Sequence, residues 1–239
     1  MRLLLLLLLP LSLFSQNILY YENCDGTALF GTYAKKQTAT SYGITQSKFS
    51  CYSSSQSAKF ELRATDPEVQ SGTRTEIVFP SATNLNRWYS FAALFPSDGY
   101  AKDYSDEVIS QWHQGGSLTP ALCLRTKNDI LYLRVLGVWK SLGTIVKDTW
   151  QSYVIHVNHS ASSTGVVEIW RDGKLILSYK GPNMYKVGGE GYPPSWKLGL
   201  YKSAWNGKST TGSKLRVLYF DEIKLGNEKA TYAEMVPKR

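Results

Sequence analysis

Short runs in which apolar and polar residues alternate recur along this chain, separated by clusters of Gly, Ser, Asn, Asp or Pro. A period of two is the pattern of a strand with one buried face. It predicts strands over 59–64, 72–79, 88–94, 108–113, 121–126, 130–136 and 151–156. Further runs follow at 166–171, 174–179, 195–201 and 214–225, and helical periodicity is almost absent. Arg171-Asp172-Gly173-Lys174 predicts a hairpin, because Asp-Gly suits the primed turn between two twisted strands. Pro80, Pro96, Pro120 and Pro193-Pro194 fall at the ends of runs, where a missing backbone donor does least harm. So many strands at this spacing predict an all-β sandwich or barrel. With neither a linker nor an internal repeat, residues 17–239 read as one domain whose ends pair or pack nearby.

Three of these runs carry reactive side chains on alternate positions: Arg74-Thr75-Glu76-Ile77, Gln111-Trp112-His113 and Trp196-Lys197-Leu198-Gly199-Leu200-Tyr201. Successive strand residues point to opposite faces, so Arg74 shares a face with Glu76, Gln111 with His113, and Lys197 with Tyr201. The other faces carry Thr75 and Ile77, Trp112, and the set Trp196, Leu198 and Leu200. A cation, an amide, an imidazole and a phenol converging on one sheet surface would suit an acidic substrate. The stretches 96–107 and 181–194 read as exposed loops walling such a cleft.

Composition adds a destination and a partner. Met1-Arg2, an apolar run from Leu3 to Phe14 and then Ser15-Gln16-Asn17 read as a secretory signal over 1–16, too short for a membrane span. The mature protein is expected to be secreted, extracellular or periplasmic. A net charge of +8 with no nucleic-acid motif favours an anionic polymer as partner. A basic surface serving solubility is the plain alternative. Cys24, Cys51 and Cys123 show no metal-ligand spacing, and export permits a Cys24–Cys51 disulfide without indicating one.

The three polar runs resemble, in order and at comparable separations, the signature blocks of jelly-roll polysaccharide lyases. Arg74-Thr75-Glu76-Ile77 is similar to their Arg-x-Glu-Leu block and Gln111-Trp112-His113 to their Gln-Ile-His or Gln-Trp-His block. Trp196 to Tyr201 is similar to their Tyr-x-Lys-x-Gly-x-Tyr block, with Trp196 where alginate lyases usually have Tyr. Residues 87–91, 150–156, 169–173 and 220–223 also resemble the heparin lyase I-like and glucuronan lyase group. The resemblance implies a β-jelly roll of two antiparallel sheets with the site in the groove of the concave sheet. It leaves the substrate open, since one fold hosts many specificities. Jelly rolls of this type often carry a structural calcium where the first and last strands meet. Asp25 and Asp221 are its candidate ligands, against turn chemistry at Asp25-Gly26 and capping by Asp221.

Such a lyase cleaves a uronic acid polymer by β-elimination. The proton on C5 leaves and the C4–O bond breaks, so catalysis needs a group to neutralise the carboxylate, a base and an acid. Arg74 is the candidate partner of the substrate carboxylate, since a guanidinium offers two parallel donors, and Glu76 is placed to hold it. Gln111 is a donor to the developing enediolate. In glucuronate or mannuronate the elimination is syn, and Tyr201 serves as base and acid with His113 in support. In guluronate or iduronate it is anti, with His113 as base and Tyr201 as acid. Lys197 and Trp205 complete the expected substrate-binding set, while Arg125, Arg134 and Lys202 are weaker subsite candidates. His156 and His159 read as structural. No cofactor is required for this chemistry, and a monomer is expected.

Two other classes remain open. A glycoside hydrolase on this architecture needs two carboxylates flanking the bond, and the Glu-x-Asp-x-x-Glu run of laminarinase-like jelly rolls is missing. A non-catalytic carbohydrate-binding jelly roll needs groove aromatics but not the Arg, Gln, His and Tyr set. Within the lyase reading, a glucuronan-type polymer leads and alginate is the runner-up.

Overall fold

The computed structural model describes residues 16–53, 55–81, 84–116, 118–186 and 193–239. The expected signal segment, apart from Gln16, lies outside them, as do 187–192 of the second predicted loop. The strands in chain order are β1 (Ile18–Glu22), β2 (Lys35–Thr38), β3 (Ile44–Ser47), β4 (Ser57–Arg63) and β5 (Arg74–Ser81). They continue with β6 (Asn86–Leu94), β7 (Glu107–His113), β8 (Leu122–Lys127), β9 (Ile130–Val135) and β10 (Val138–Thr144). The rest are β11 (Gln151–Asn158), β12 (Val166–Arg171), β13 (Lys174–Lys180), β14 (Ser195–Tyr201) and β15 (Leu215–Gly226). One sheet runs β13-β12-β11-β6-β15-β4-β3, with β1 also on β15; the other runs β10-β9-β8-β7-β14-β5-β2. The named strands pair antiparallel throughout, giving the expected jelly-roll sandwich.

The apolar halves of the alternating runs meet between the sheets. Ile77, Trp112, Trp196, Leu198 and Leu200 are all buried in the main core. Phe79 stacks on Trp196 at 4.6 Å between centroids, and Tyr89 of the facing sheet meets Trp112 at 5.2 Å and Trp196 at 5.1 Å. This aromatic layer lies behind the three polar runs. Each fully buried ring contributes about 1.5–3 kcal/mol of hydrophobic stabilisation, which fixes the register of the strands that carry the polar residues.

Four strands escape the alternation pattern: β1, β2, β3 and β10. Of these, β2, β3 and β10 are sheet edges, which bury little and so need little apolar sequence. Lys36 of β2 sits opposite core residue Ile77, a charge aimed at the interior face of an edge, where it discourages further strand pairing. The predicted Asp172-Gly173 turn forms with φ of 50° and 82°, as a primed turn requires. Leu136-Gly137 turns β9 into β10 in the same way, with φ of 46° and 89°, but Leu carries no turn signal. The first and last described strands pair, with β1 along the last residues of β15.

The 96–107 stretch is only in part the predicted exposed loop: Ser97, Asp98, Ala101, Lys102 and Tyr104 are exposed, while other residues turn inward. Tyr100, Asp103 and Glu107 are buried, and the two carboxylates flank Lys202. The Lys202 ammonium lies 2.7 Å from Glu107 and 3.3 Å from Asp103, and Arg216 lies 3.1 Å from Glu107 and 3.4 Å from Asp103. Burial pushes the Asp103 carboxyl up, but hydrogen bonds from Ser213, Thr211 and the Ser105 amide, with the Lys202 charge, bring it well below the usual range. The stretch is a surface loop anchored in the core by these residues, and it contributes none of the residues lining the groove.

Candidate active site

Strands β5, β14 and β7 are neighbours in one sheet, and their register aligns the polar runs. Tyr201 pairs with Arg74 on one side and Val108 on the other; Lys197 pairs with Gln111, and Ser195 with His113. Paired residues share a face. Arg74, Gln111, His113, Lys197 and Tyr201 therefore line one groove of about 500 Å³ on the outer face of this sheet, with Gln70, Ser71 and Arg134. The groove continues past His113 and Lys197 into a second space of about 380 Å³ lined by Gln37, Gln114 and Ser195.

Glu76 organises the floor. Its carboxylate is fully buried, 3.2 Å from an Arg74 Nη1 and accepting a hydrogen bond from the Gln111 amide. The charge is satisfied from two strands at once, which a buried carboxylate requires. Glu76 thus holds two groove residues and does not reach substrate, a correction to its expected place in the substrate-binding set. The Arg74 guanidinium lies 4.3 Å from the Tyr201 ring centroid. Gly72 permits that stack: a Cβ there would come within 2.5 Å of an Arg74 nitrogen and 2.7 Å of the Tyr201 ring. Gly199, with φ of 140°, lets β14 close on β5, since a Cβ would meet the Thr75 carbonyl oxygen at 2.3 Å.

The His113 Nδ1 accepts a hydrogen bond from the Gly115 amide at 2.9 Å. In the neutral ring the hydrogen must then sit on Nε2. Burial, reinforced by the Lys197 and Arg74 charges, holds the imidazole pKa below its ordinary value, so the ring stays neutral into mild acid. Lys197 donates to the Gln37 side chain at 3.1 Å. Burial lowers the Lys197 ammonium pKa, opposed by Glu76 and assisted by Arg74. The described residues lining the groove include no Asp or Glu.

Two other expectations fail on burial. Trp205 is 1% exposed, packs in the main core and donates its indole N–H to Thr211 at 3.0 Å, so no face is free for a sugar. Lys202 is locked in the buried cluster with Asp103 and Glu107. His156 is held by Glu168 at 2.9 Å and Asn86 at 2.8 Å, and His159 is buried beside Tyr89. Both occupy structural positions away from the groove. The cysteines are free thiols.

The implied calcium does not fit the residues as placed. Asp221 is buried, and its two oxygens accept amide hydrogens from Tyr52 at 2.9 Å and Glu222 at 2.8 Å. Burial pushes its carboxyl pKa up to about 6. Asp25 accepts from the Ser55 amide and hydroxyl. Among the described residues no cluster of His, Cys, Asp or Glu could hold a metal ion.

Sequence reasoning missed Gln37, Gln70 and Gly72. Gln37 hydrogen-bonds both Lys197 and Gln70, joining β2 to the loop before β5. A short Lys-Lys-Gln-Thr edge strand gives no period to read, and Gly72 matters only through side chains that fold onto it.

The polysaccharide lyase family profile matches residues 27–224. No curated protein sequence matches the chain. Among solved structures, an endo-β-1,4-glucuronan lyase from the fungus Trichoderma reesei superposes with a TM-score of 0.75 at 17% identity, covering 93% of this chain and 99% of that one. An alginate lyase of polysaccharide lyase family 7 gives 0.58 at 11% identity, covering 81% and 94%. A family 131 β-glucanase catalytic domain from Podospora anserina gives 0.59 at 14% identity, covering 85% and 87%. At these identities the superpositions establish a shared jelly-roll fold, and hydrolases share it too. The profile match across most of the chain is specific to lyases: this protein belongs to the polysaccharide lyase family.

Proposed function

We propose that the protein is a secreted lyase that cleaves a glucuronan-type polymer by syn β-elimination in this groove. The observation that carries the reading is the convergence of Arg74, Gln111, His113, Lys197 and Tyr201 on a groove whose described lining has no carboxylate. A glycosidase needs two such carboxylates. An elimination instead needs cations and donors around the substrate carboxylate, with one proton-transfer group beside C5 and the C4 oxygen.

In this mechanism Arg74 and the free Gln111 amide hydrogen hold the substrate carboxylate, stabilising the charge that builds on it as C5 loses its proton. His113, with Nδ1 accepting from the Gly115 amide and the ring N–H hydrogen-bonded to the Leu118 backbone, leaves no free ring lone pair to act as a base. That geometry favours Tyr201 as the group that takes the C5 proton and returns it to the departing C4 oxygen. The C4–O bond breaks as the C4–C5 double bond forms, leaving an unsaturated uronate end. One residue serves as base and acid when hydrogen and leaving oxygen lie on the same side, as in glucuronate. The overall likeness to a glucuronan lyase supports the same substrate class, and the chain's apolar first residues support secretion.

The test is ultraviolet absorbance of the unsaturated product on polyglucuronate, alginate, ulvan and heparin-type chains. Polyglucuronate is expected to give the fastest rise, and Tyr201→Phe to lose about 10²-fold or more in kcat while still binding polymer. No rise on any of these polymers, with binding retained, would leave a binding module in place of an enzyme.

A further inference from the structure

One concave row of residues crosses the site sheet at right angles to its strands. Lys197 pairs with Gln111, Gln111 with Cys123, Cys123 with Arg134, and Arg134 with Trp139. All five side chains therefore share the groove face. Trp139 stands on β10, the outermost strand, and is 40% exposed, whereas Trp112, Trp196 and Trp205 are at most 2% exposed. Exposing an indole costs hydrophobic free energy that burial would recover. This one is nevertheless held in place, with Tyr132 edge-on at 5.3 Å and the Arg125 guanidinium 5.5 Å from the ring.

The charges beside it are unequal. Arg125 is paired with Asp106, so its charge is largely matched. Arg134 lines the groove, has no carboxylate partner among the described residues, and makes only a 3.4 Å hydrogen bond to Thr119. An exposed aromatic face next to an unmatched guanidinium suits a sugar ring carrying a carboxylate. The apolar C–H face packs on the indole, and the acid takes parallel donors from the arginine. We propose that Arg134 and Trp139 form a distal subsite that binds a second uronate unit of the polymer. The proposal rests on the lyase reading of the groove and deepens it.

Strand spacing sets the reach. Arg134 lies two strands from Gln111, about 10 Å, and Trp139 three strands, about 14 Å. A sugar at the reacting position does not extend to Trp139, so only longer chains gain the full subsite. Binding energy from that remote contact then appears as a preference for long substrates.

Initial rates on size-fractionated polyglucuronate oligosaccharides and on intact polymer, for wild type, Trp139→Ala and Arg134→Gln, test this. Both variants are expected to lose about tenfold in kcat/KM on the polymer, roughly 1.4 kcal/mol, while with Trp139→Ala the shortest cleaved oligosaccharides react as before. Trp139→Phe should recover most of the loss. Equal losses on short and long chains with Trp139→Ala, or no loss on the polymer with either variant, would overturn the subsite. Both positions lie toward the sheet's outer edge, and an unchanged melting temperature checks folding. If wild type eliminates nothing, the lyase reading fails. Calorimetric titration with polyglucuronate then decides the subsite alone: weaker binding by both variants upholds it, and unchanged binding removes it.

Discussion

At the scale of single residues, the site depends on groups that never touch substrate. Glu76 fixes Arg74 and Gln111 from beneath, and Gly72 leaves the space in which Arg74 lies against Tyr201. Gly72→Ala should displace the flexible guanidinium before it disturbs the backbone. The expected outcome is a loss of about tenfold in kcat/KM, in line with the sensitivity of catalysis to small misplacement, with a melting temperature close to wild type. Steady-state kinetics and calorimetry on one preparation check both halves. Arg74, Glu76, Gln111, His113, Lys197 and Tyr201 were all legible in the sequence because they alternate with core residues in three runs. Trp205 was not legible: its neighbours give no strand period, and only the fold turns it inward.

At the scale of elements, β14 carries much of the burden. Its inward residues join the aromatic layer, its outward residues supply Lys197 and Tyr201, and the next residue, Lys202, anchors its end in the buried charge cluster. Removing the Lys202 charge leaves Asp103 and Glu107 facing only Arg216. Lys202→Met should therefore destabilise the fold by about 3–5 kcal/mol, the usual result of breaking a buried ion pair from one side. Urea unfolding checks the stability. Because Tyr201 adjoins the anchor, activity near the melting range should fall earlier than in wild type. Edge strands β2 and β10 show the converse. They were invisible to periodicity because they bury so little, yet β2 supplies Gln37 to the groove and β10 sets Trp139 beside Arg134.

At the scale of the whole molecule, the buried His159 ties stability to pH. Burial, aided by the nearby Arg87 charge, lowers its pKa to about 3 from an ordinary 6.5. Its unfolded form therefore binds a proton over a range where the folded form does not. Stability from this group is complete above 6.5 and is lost as pH falls from there toward 3, by about 1.4 kcal/mol per pH unit. Asp221 acts in the opposite sense. With its pKa raised to about 6, it favours the folded state as pH drops from 6 toward its ordinary 3.8. Comparing wild type with His159→Gln cancels that contribution. The stability of wild type relative to the variant is expected to fall steadily below pH 6.5, and a pH-independent difference in urea titrations would refute the assignment. The sequence by itself determined an all-β chain, its main strands and the polar set of the groove, because period-two alternation and reactive side chains are local properties. Only the tertiary structure decided which residues meet. Gln37 reaches Lys197 across 160 positions, Trp139 is exposed while Trp205 is buried, and Tyr100 and Asp103 of the 96–107 loop turn into the core. Strand order and register set those neighbours, and they follow from burying the whole aromatic layer at once rather than from any short stretch of chain.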